Sequence, residues 1–143
     1  MYSFVFYRPE IPRWVGVSGV LLCVLLCGVA HGQSIVTTGG NGNFSFTGDG
    51  GAATDASLAD PASVFVDGTG NVCVVDTSNR RIRKIDSAGV ITTVVGNGNF
   101  GFAGDGGQAT DASLADPTGM FIDNAGNLYI ADTNNQRIRK VDV

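Results

Sequence analysis

The chain has almost no His and Glu, two of the side chains that enzymes commonly use for acid–base and metal chemistry. It has 1 His among 143 residues, and beyond position 31 it has neither His nor Glu. Its 3 Cys are too few for the dense disulfide framework of a small secreted domain. The net charge of −4 argues against a nucleic-acid-binding protein driven by positive charge. The 21 Gly follow no G-X-Y period, which excludes collagen.

The N-terminal segment, residues 1–33, has the pattern of a targeting sequence. Arg8 and Arg13 precede an apolar run from Trp14 to Ala30, and small residues follow it. This order is typical of a cleaved secretory signal peptide. The alternative is a retained membrane anchor, because about 17 residues lie at the lower limit of what spans a bilayer. We expect an extracytoplasmic protein, secreted or periplasmic, that meets a membrane only if this segment stays uncleaved.

The remainder, residues 34–143, contains one unit in two copies. Residues 35–87 align without gaps on residues 91–143, and more than half of the aligned positions are identical. The longest shared run is ATDASLADP, which starts at Ala53 and again at Ala109. Such self-similarity indicates a repeat architecture built from one structural unit.

Each unit predicts short strands separated by turns. Apolar runs of strand length are bounded by D-x-x-G turn signals at 67–70, 86–89 and 123–126. Four short strands per unit are typical of a propeller blade, so we expect an all-β fold with two four-stranded blades of an incomplete β-propeller. The predicted strands are Ile35–Thr38, Ser63–Val66, Val72–Val75, Arg81–Ile85, Val90–Val95, Met120–Ile122, Leu128–Ala131 and Arg137–Val141.

Several segments resemble the NHL repeat. They are FVD at 65–67, GNV at 70–72 and NRRI at 79–82, followed by FID at 121–123, GNL at 126–128 and NQRI at 135–138. The Gly-rich loop GNGNFGFAGDGG at 96–107 is similar to loops of bacterial extracellular NHL-repeat proteins. The resemblance covers both units and implies an NHL-type propeller, typically of six blades. It implies no single function, because the family includes binding modules, lyases and RNA binders.

Two blades alone do not close a ring. They leave exposed sheet edges, which promote aggregation, so we favour a fragment of a longer propeller. The alternative is a homo-oligomer, a trimer in which Ile35–Thr38 pairs with Arg137–Val141 of a neighbouring copy. In a lone copy, the strands Val72–Val75 and Leu128–Ala131 are expected to be covered on one face only.

Six charged residues are candidates for binding, namely two loop carboxylates and four strand arginines: Asp49, Asp105, Arg81, Arg83, Arg137 and Arg139. The carboxylates lie in G-D-G-G loops and are expected to accept hydrogen bonds from loop backbone N–H groups. A calcium site that recruits further Asp residues is the alternative. Each arginine pair alternates along a third strand and shares one sheet face, which we interpret as solvated. The resemblance offers RNA binding as an alternative, but we predict no nucleic acid, no metal and no cofactor.

Three further positions receive structural interpretations. Asp76 precedes Arg81 by five residues, a spacing that predicts an ion pair across the hairpin, and Asp132 repeats it in the second unit. Cys73 stands where the second unit has Tyr129, so it is predicted to be a packing position. A nucleophilic role for this thiol would need an adjacent base such as His.

The lack of His bears directly on function. NHL-like lyases and hydrolytic propellers, as the resemblance implies, use His as a metal ligand or a base. A hydrolase built on Asp alone would need Asp60 or Asp116 to converge with Asp67 or Asp123. We therefore predict a non-catalytic binding or scaffold module for a protein or glycan partner on the face formed by the inter-blade loops. The alternative is a fragment of a propeller enzyme, a lyase or hydrolase, whose catalytic residues lie on other blades.

Expression of the full chain in a bacterium tests the export prediction. The N-terminal segment is expected to direct secretion, with cleavage after Ala30 or Gly32. Sequencing the N-terminus of the product provides the measurement. A start at His31 or Gln33 in an extracytoplasmic fraction agrees with the prediction, and a cytosolic product that starts at Met1 contradicts it.

Overall fold

The protein folds as two antiparallel sheets in residues 32–142, the part of the chain that the computed structural model describes. The sheets have the strand orders β1-β2-β3-β4 and β5-β6-β7. The strands are β1 Pro61–Val66, β2 Val72–Asp76, β3 Arg81–Ile85, β4 Ile91–Val95, β5 Pro117–Ile122, β6 Leu128–Asp132 and β7 Arg137–Val141. The fold is all-β, as predicted, with one sheet in each repeat unit.

The N-terminal segment and its predicted signal peptide lie outside the described residues, apart from positions 32 and 33. Within residues 32–142, no helix has the length and apolar character needed to cross a membrane.

The D-x-x-G turns close hairpins through the side chain of their first residue. In the β1–β2 turn, an Asp67 carboxylate oxygen accepts hydrogen bonds from the backbone N–H groups of Thr69 (2.9 Å) and Asn71 (3.0 Å). Gly70 supplies the left-handed backbone at φ 87°. Side-chain hydrogen bonds from Asn71 and Thr69 hold the pKa of Asp67 well below its usual range. Asp123 closes the β5–β6 turn in the same way.

The main apolar core lies between the two sheets. It consists of Val75, Ile82 and Val95 from the first sheet, Leu114 from the segment before β5, and Leu128 and Ile130 from β6. Burying a side chain of this size stabilises a fold by about 1.5–3 kcal/mol. The two sheets are therefore held face to face by side chains that alternate with outward-facing ones along each strand.

A second apolar cluster forms because the loop before β1 folds back over its own sheet. Ala53 and Ala56 of this loop pack against Val74 and Ile85 of the sheet's outer face. Gly48 lies at φ 87°, and a Cβ there would come within 2.6 Å of Ala56, so the close approach requires glycine. The expectation that β2 is covered on one face only is therefore wrong.

The predicted strand Ile35–Thr38 is also wrong, because this segment is not a strand and the Ile35 side chain is 100 % exposed. Its counterpart in the second copy is β4, which pairs with β3. In residues 32–142, no strand lies beside Ile35–Thr38 to take its backbone hydrogen bonds. An apolar segment of strand-forming residues stays irregular without such a partner.

Truncation of Ile130 tests the inter-sheet core. Ile130→Ala leaves a cavity at a fully buried site and is expected to lower the free energy of unfolding by about 2–5 kcal/mol. Ile138→Ala is the matched control, because Ile138 lies on the adjacent strand with its side chain 72 % exposed, and its expected effect is below about 0.5 kcal/mol. Urea unfolding measures both, and equal losses would contradict this account of the core.

Candidate functional site

Two Gly-rich loops lie at the same end of the sheets. The first covers residues 39–60 and the second residues 96–116. In the first unit, the Asn79 side chain of the β2–β3 turn donates a hydrogen bond to the Ser45 carbonyl (2.7 Å). Asn135 of the β6–β7 turn makes the matching bond to the Gly101 carbonyl (2.8 Å). We call the surface formed by these two loops and two turns the loop face.

A buried arginine holds the first loop against its sheet. The Arg83 side chain is 0 % exposed, and its guanidinium lies 2.8 Å from Asp49 in the loop and 3.3 Å from Asp76 in β2. It also donates a hydrogen bond to the Thr47 carbonyl (3.1 Å). Loss of one partner of such a buried ion pair typically costs 3–5 kcal/mol, because the remaining charge is left without compensation. The loop is therefore fixed to the sheet.

The second unit repeats this arrangement with small changes. Arg139 lies 2.6 Å from Asp105 and 3.2 Å from Asp132, and it donates a hydrogen bond to the Ala103 carbonyl (3.1 Å). We call each set of one arginine and two aspartates an arginine anchor. Each anchor consists of residues from one unit. Among the predicted binding residues, the structure therefore brings Asp49 to Arg83 and Asp105 to Arg139.

The arginine anchors correct three interpretations from the sequence. Asp49 accepts hydrogen bonds from the side chains of Arg83 and Thr93 (2.7 Å) instead of the expected loop N–H groups. The ion-pair partner of Asp76 is Arg83, whereas the Arg81 guanidinium donates to the Asn97 carbonyl (2.7 Å). In the first unit the arginine face of the sheet is not solvated, because the loop folds over it and buries Arg83, whereas Arg137 of the second unit is exposed.

The first arginine of each strand, which is not the anchoring one, stacks on a loop phenylalanine. The Arg81 guanidinium carbon lies 3.8 Å from the ring centroid of Phe46, and that of Arg137 lies 4.0 Å from the centroid of Phe102. Burial lowers the pKa of Arg81, and the carboxylate of Asp49 opposes this shift. These contacts are cation–π interactions, which add to the attachment of each loop.

The other phenylalanine of each loop is more exposed, and it is not among the binding residues predicted from the sequence. The side chains of Phe44 and Phe100 are 70 % and 61 % exposed. The only signal available in the sequence is the F-x-F spacing repeated at the same place in both units. A depression of about 300 Å³ adjoins Phe44 and is also lined by Asn43 and Asp60. The loop face therefore presents aromatic rings beside polar groups.

Of the four aspartates considered for an Asp-based hydrolase, Asp60 and Asp116 lie far from Asp67 and Asp123, and only the latter two adjoin a common cavity between the sheets. Asp60 and Asp67 lie at opposite ends of β1, roughly 20 Å apart at the usual strand rise. Asp116 and Asp123 flank β5 in the same way. The Asp60 carboxylate accepts a hydrogen bond from the Ser78 hydroxyl (2.6 Å), which ties it to the β2–β3 turn.

Cys73 is a free thiol buried in β2, opposite Lys84 in β3. Burial raises its pKa, and the carboxylate of Asp67 adds to the rise. The thiol therefore stays protonated at neutral pH, which suits the predicted packing position. In residues 32–142, no three His, Cys, Asp or Glu side chains are grouped as metal ligands would be.

The fold and the repeat pattern define blades of a β-propeller. Residues 39–103 match the family model of the teneurin NHL domain, and residues 114–141 match that of the NHL repeat. The chain belongs to the NHL-repeat family. A protein of unknown function from Bacteroides thetaiotaomicron has the same fold, with a TM-score of 0.64 and 28 % identity over 71 % of this chain and 25 % of its own.

Two curated relatives also match. The chain is 33 % identical over 101 residues to Protein SUPPRESSOR OF QUENCHING 1, chloroplastic, of Arabidopsis thaliana, and the match covers 70 % of this chain and 9 % of that protein. It is 36 % identical over 108 residues to human teneurin-1, and this match covers 66 % of this chain and 4 % of that protein. The chain thus spans less than a tenth of the length of these relatives.

Replacement of the anchoring arginine tests its structural role. Arg83→Met keeps much of the side-chain volume but leaves the buried Asp76 without its charged partner, and the expected loss is about 3–5 kcal/mol in the free energy of unfolding. Arg137→Met is the matched control, because this exposed arginine has no ion-pair partner among the described residues, and we expect a loss below about 1 kcal/mol. Urea titrations that give the two variants the same stability would refute the anchor.

Proposed function

We propose that the protein is an exported, non-catalytic binding module whose loop face holds a protein or glycan partner. The observation that carries this proposal is the pair of exposed rings, Phe44 and Phe100, at matching places on the two loops. Large aromatic side chains are enriched at the centres of binding interfaces, where truncation of one ring often costs 2 kcal/mol or more. Export rests on the pattern of the N-terminal segment.

The rigidity of the loops supports this role. The arginine anchors fix each loop to its sheet at buried charged groups. A surface that is already ordered loses little conformational entropy when it binds, so more of the contact energy appears as affinity. The exposed rings are therefore presented by a framework that does not have to fold on binding.

The chemistry of the loop face suits partners with apolar and polar groups side by side. Phe44 adjoins Asn43 and Asp60, and the Arg80 guanidinium lies 5.4 Å from the ring centroid of Phe100. A sugar ring offers an apolar face and hydroxyl groups, and a peptide offers side chains and backbone amides. Both can use a ring with neighbouring hydrogen-bonding groups.

The non-catalytic part of the proposal rests on how the charged groups are engaged. Among the described residues, the carboxylates of Asp49, Asp76 and Asp132 are bound to the anchoring arginines. Asp67 and Asp123 close turns and lie at the other end of β1 and β5 from the loop face. These groups have structural partners, and the loop face offers aromatic contact surface.

Binding experiments with loop-face variants test the proposal. The full chain is screened against a panel of immobilised polysaccharides and against a displayed random-peptide library. For any ligand obtained, the double variant Phe44→Ala with Phe100→Ala is expected to weaken binding by about 2 kcal/mol, roughly thirtyfold in Kd. Because both side chains are exposed, the variant is expected to keep its fold, and circular dichroism checks this.

Phe121→Ala is the matched control for this experiment. Its ring is similarly exposed, at 57 %, but Phe121 lies within strand β5 and is not part of the loop face. We expect its affinity to stay within about twofold of the unchanged protein, since ΔΔG values for residues outside the contact are small. The proposal is wrong if neither library yields a ligand, or if the ligands bind the double variant and the unchanged protein equally well.

A further inference from the structure

A cavity of about 640 Å³ lies between the two sheets at the end opposite the loop face. Its apolar wall includes Val95, Ile122 and Leu128. Its polar wall contains Asp67 of the β1–β2 turn and Lys84 of β3, with Asp123 and Asp142 on the side of the second sheet, and Cys73 lies between Asp67 and Lys84. This site is separate from the loop face and from both arginine anchors.

The second unit has a different residue at the position that corresponds to Cys73. There Tyr129 takes the place of Cys73, with Asp123 and Lys140 as the counterparts of Asp67 and Lys84. The Tyr129 hydroxyl donates a hydrogen bond to Asp123 (3.3 Å), and the Lys140 ammonium lies 5.9 Å from the centroid of the Tyr129 ring. A phenol ring therefore lies between a carboxylate and an ammonium group.

The first unit keeps both polar partners and lacks the ring. Asp67 and Lys84 line the cavity on either side of a short thiol. The Asp67 oxygen that corresponds to the tyrosine acceptor receives one hydrogen bond, from the Asn71 side chain (2.8 Å). The matching Asp123 oxygen receives two, from Asn127 and Tyr129. A carboxylate oxygen accepts two donors, so Asp67 has room for one more hydroxyl.

The size and character of the cavity suit a small aromatic molecule. An apolar cavity of about 150 Å³ in another protein is large enough to bind benzene. The buried thiol of Cys73 is protonated and behaves as a small apolar group, so it adds to the apolar wall. Lys84 supplies a cation that favours the face of an aromatic ring over that of a saturated one.

We propose that this inter-sheet cavity binds a small phenol, whose ring takes the place of the tyrosine that the second unit has at position 129. The phenol hydroxyl donates a hydrogen bond to the Asp67 carboxylate, and the Lys84 ammonium lies against the ring. The Cys73 thiol and the side chains of Ile122 and Leu128 enclose the remaining faces.

The probe for this site is p-cresol, which is the tyrosine side chain as a free molecule. Isothermal titration calorimetry on the full chain is expected to give saturable binding of p-cresol. The saturated analogue 4-methylcyclohexanol is expected to bind at least tenfold more weakly, because it lacks the ring that Lys84 contacts. Equal binding of both compounds, or no saturable binding of p-cresol, would overturn the proposal.

Two substitutions of the cysteine locate the binding. Cys73→Tyr places the chain's own phenol where the ligand ring is proposed to lie, and it is expected to abolish p-cresol binding there while the melting temperature stays equal or rises. Cys73→Ala leaves the cavity open and is expected to keep binding within about threefold. Binding that survives in Cys73→Tyr contradicts the assigned location.

A third measurement guards against a Cys73→Tyr variant that does not fold. In the unchanged protein, saturating p-cresol is expected to slow alkylation of Cys73 by a thiol reagent, read at this residue by peptide mass spectrometry. A bound ring over the thiol restricts access of the reagent. An alkylation rate at Cys73 that p-cresol leaves unchanged contradicts the proposal.

Discussion

The structure depends on the compensation of one buried guanidinium in each repeat unit. Arg83 has no access to water, so its charge requires carboxylates at contact distance. One of them, Asp49, is 34 residues away in sequence, and it lies in a loop with little regular structure of its own. Removal of the loop from the sheet would break the contacts of Arg83 with Asp49 and with the Thr47 carbonyl, and would leave Asp76 as its one ion-pair partner among the described residues. These contacts hold a long glycine-rich loop against its sheet, which is what makes it a candidate binding surface.

The same loop explains how a single unit covers most of its own apolar surface. It folds over the outer face of its sheet, while the inter-sheet core covers the inner face. Apart from the loop phenylalanines and the segment at Ile35, the large apolar side chains that stay exposed lie on the sheets, including Val64 on one outer side and Ile138 on the other. Their counterparts in the other copy, Met120 and Ile82, lie in the inter-sheet core or against it. Each outer side thus repeats one half of the buried interface, as expected of a repeat architecture in which blades stack on one another.

The sequence predicts those parts of the fold that depend on local signals. The strand positions follow from apolar runs between D-x-x-G turns, and the carboxylate of Asp67 closes its turn within four residues of chain. Contacts between distant segments were not predictable in this way. The pairing of Asp49 with Arg83 depends on where the loop lies, and the irregular conformation of Ile35–Thr38 depends on whether a partner strand is present. The exposure of Phe44 also follows from loop geometry, since the neighbouring Phe46 stacks against Arg81 and is only about half as exposed.

Differences between the two units carry more information than their identities. Because the two units share most of their sequence, residues such as the two arginine anchors occur in both and do not distinguish one unit from the other. A position that differs shows what one unit has and the other lacks in a similar environment. At Cys73 and Tyr129 the flanking aspartate and lysine are the same in both units, and both turns have the same backbone N–H bonds to the aspartate, although the Thr69 hydroxyl of the first turn is replaced by Ala125 in the second. The ring between the aspartate and the lysine is missing in the first unit, and a cavity adjoins the thiol there. The first unit thus has the carboxylate and the ammonium group that lie beside the phenol ring of Tyr129 in the second unit, but it has no phenol of its own.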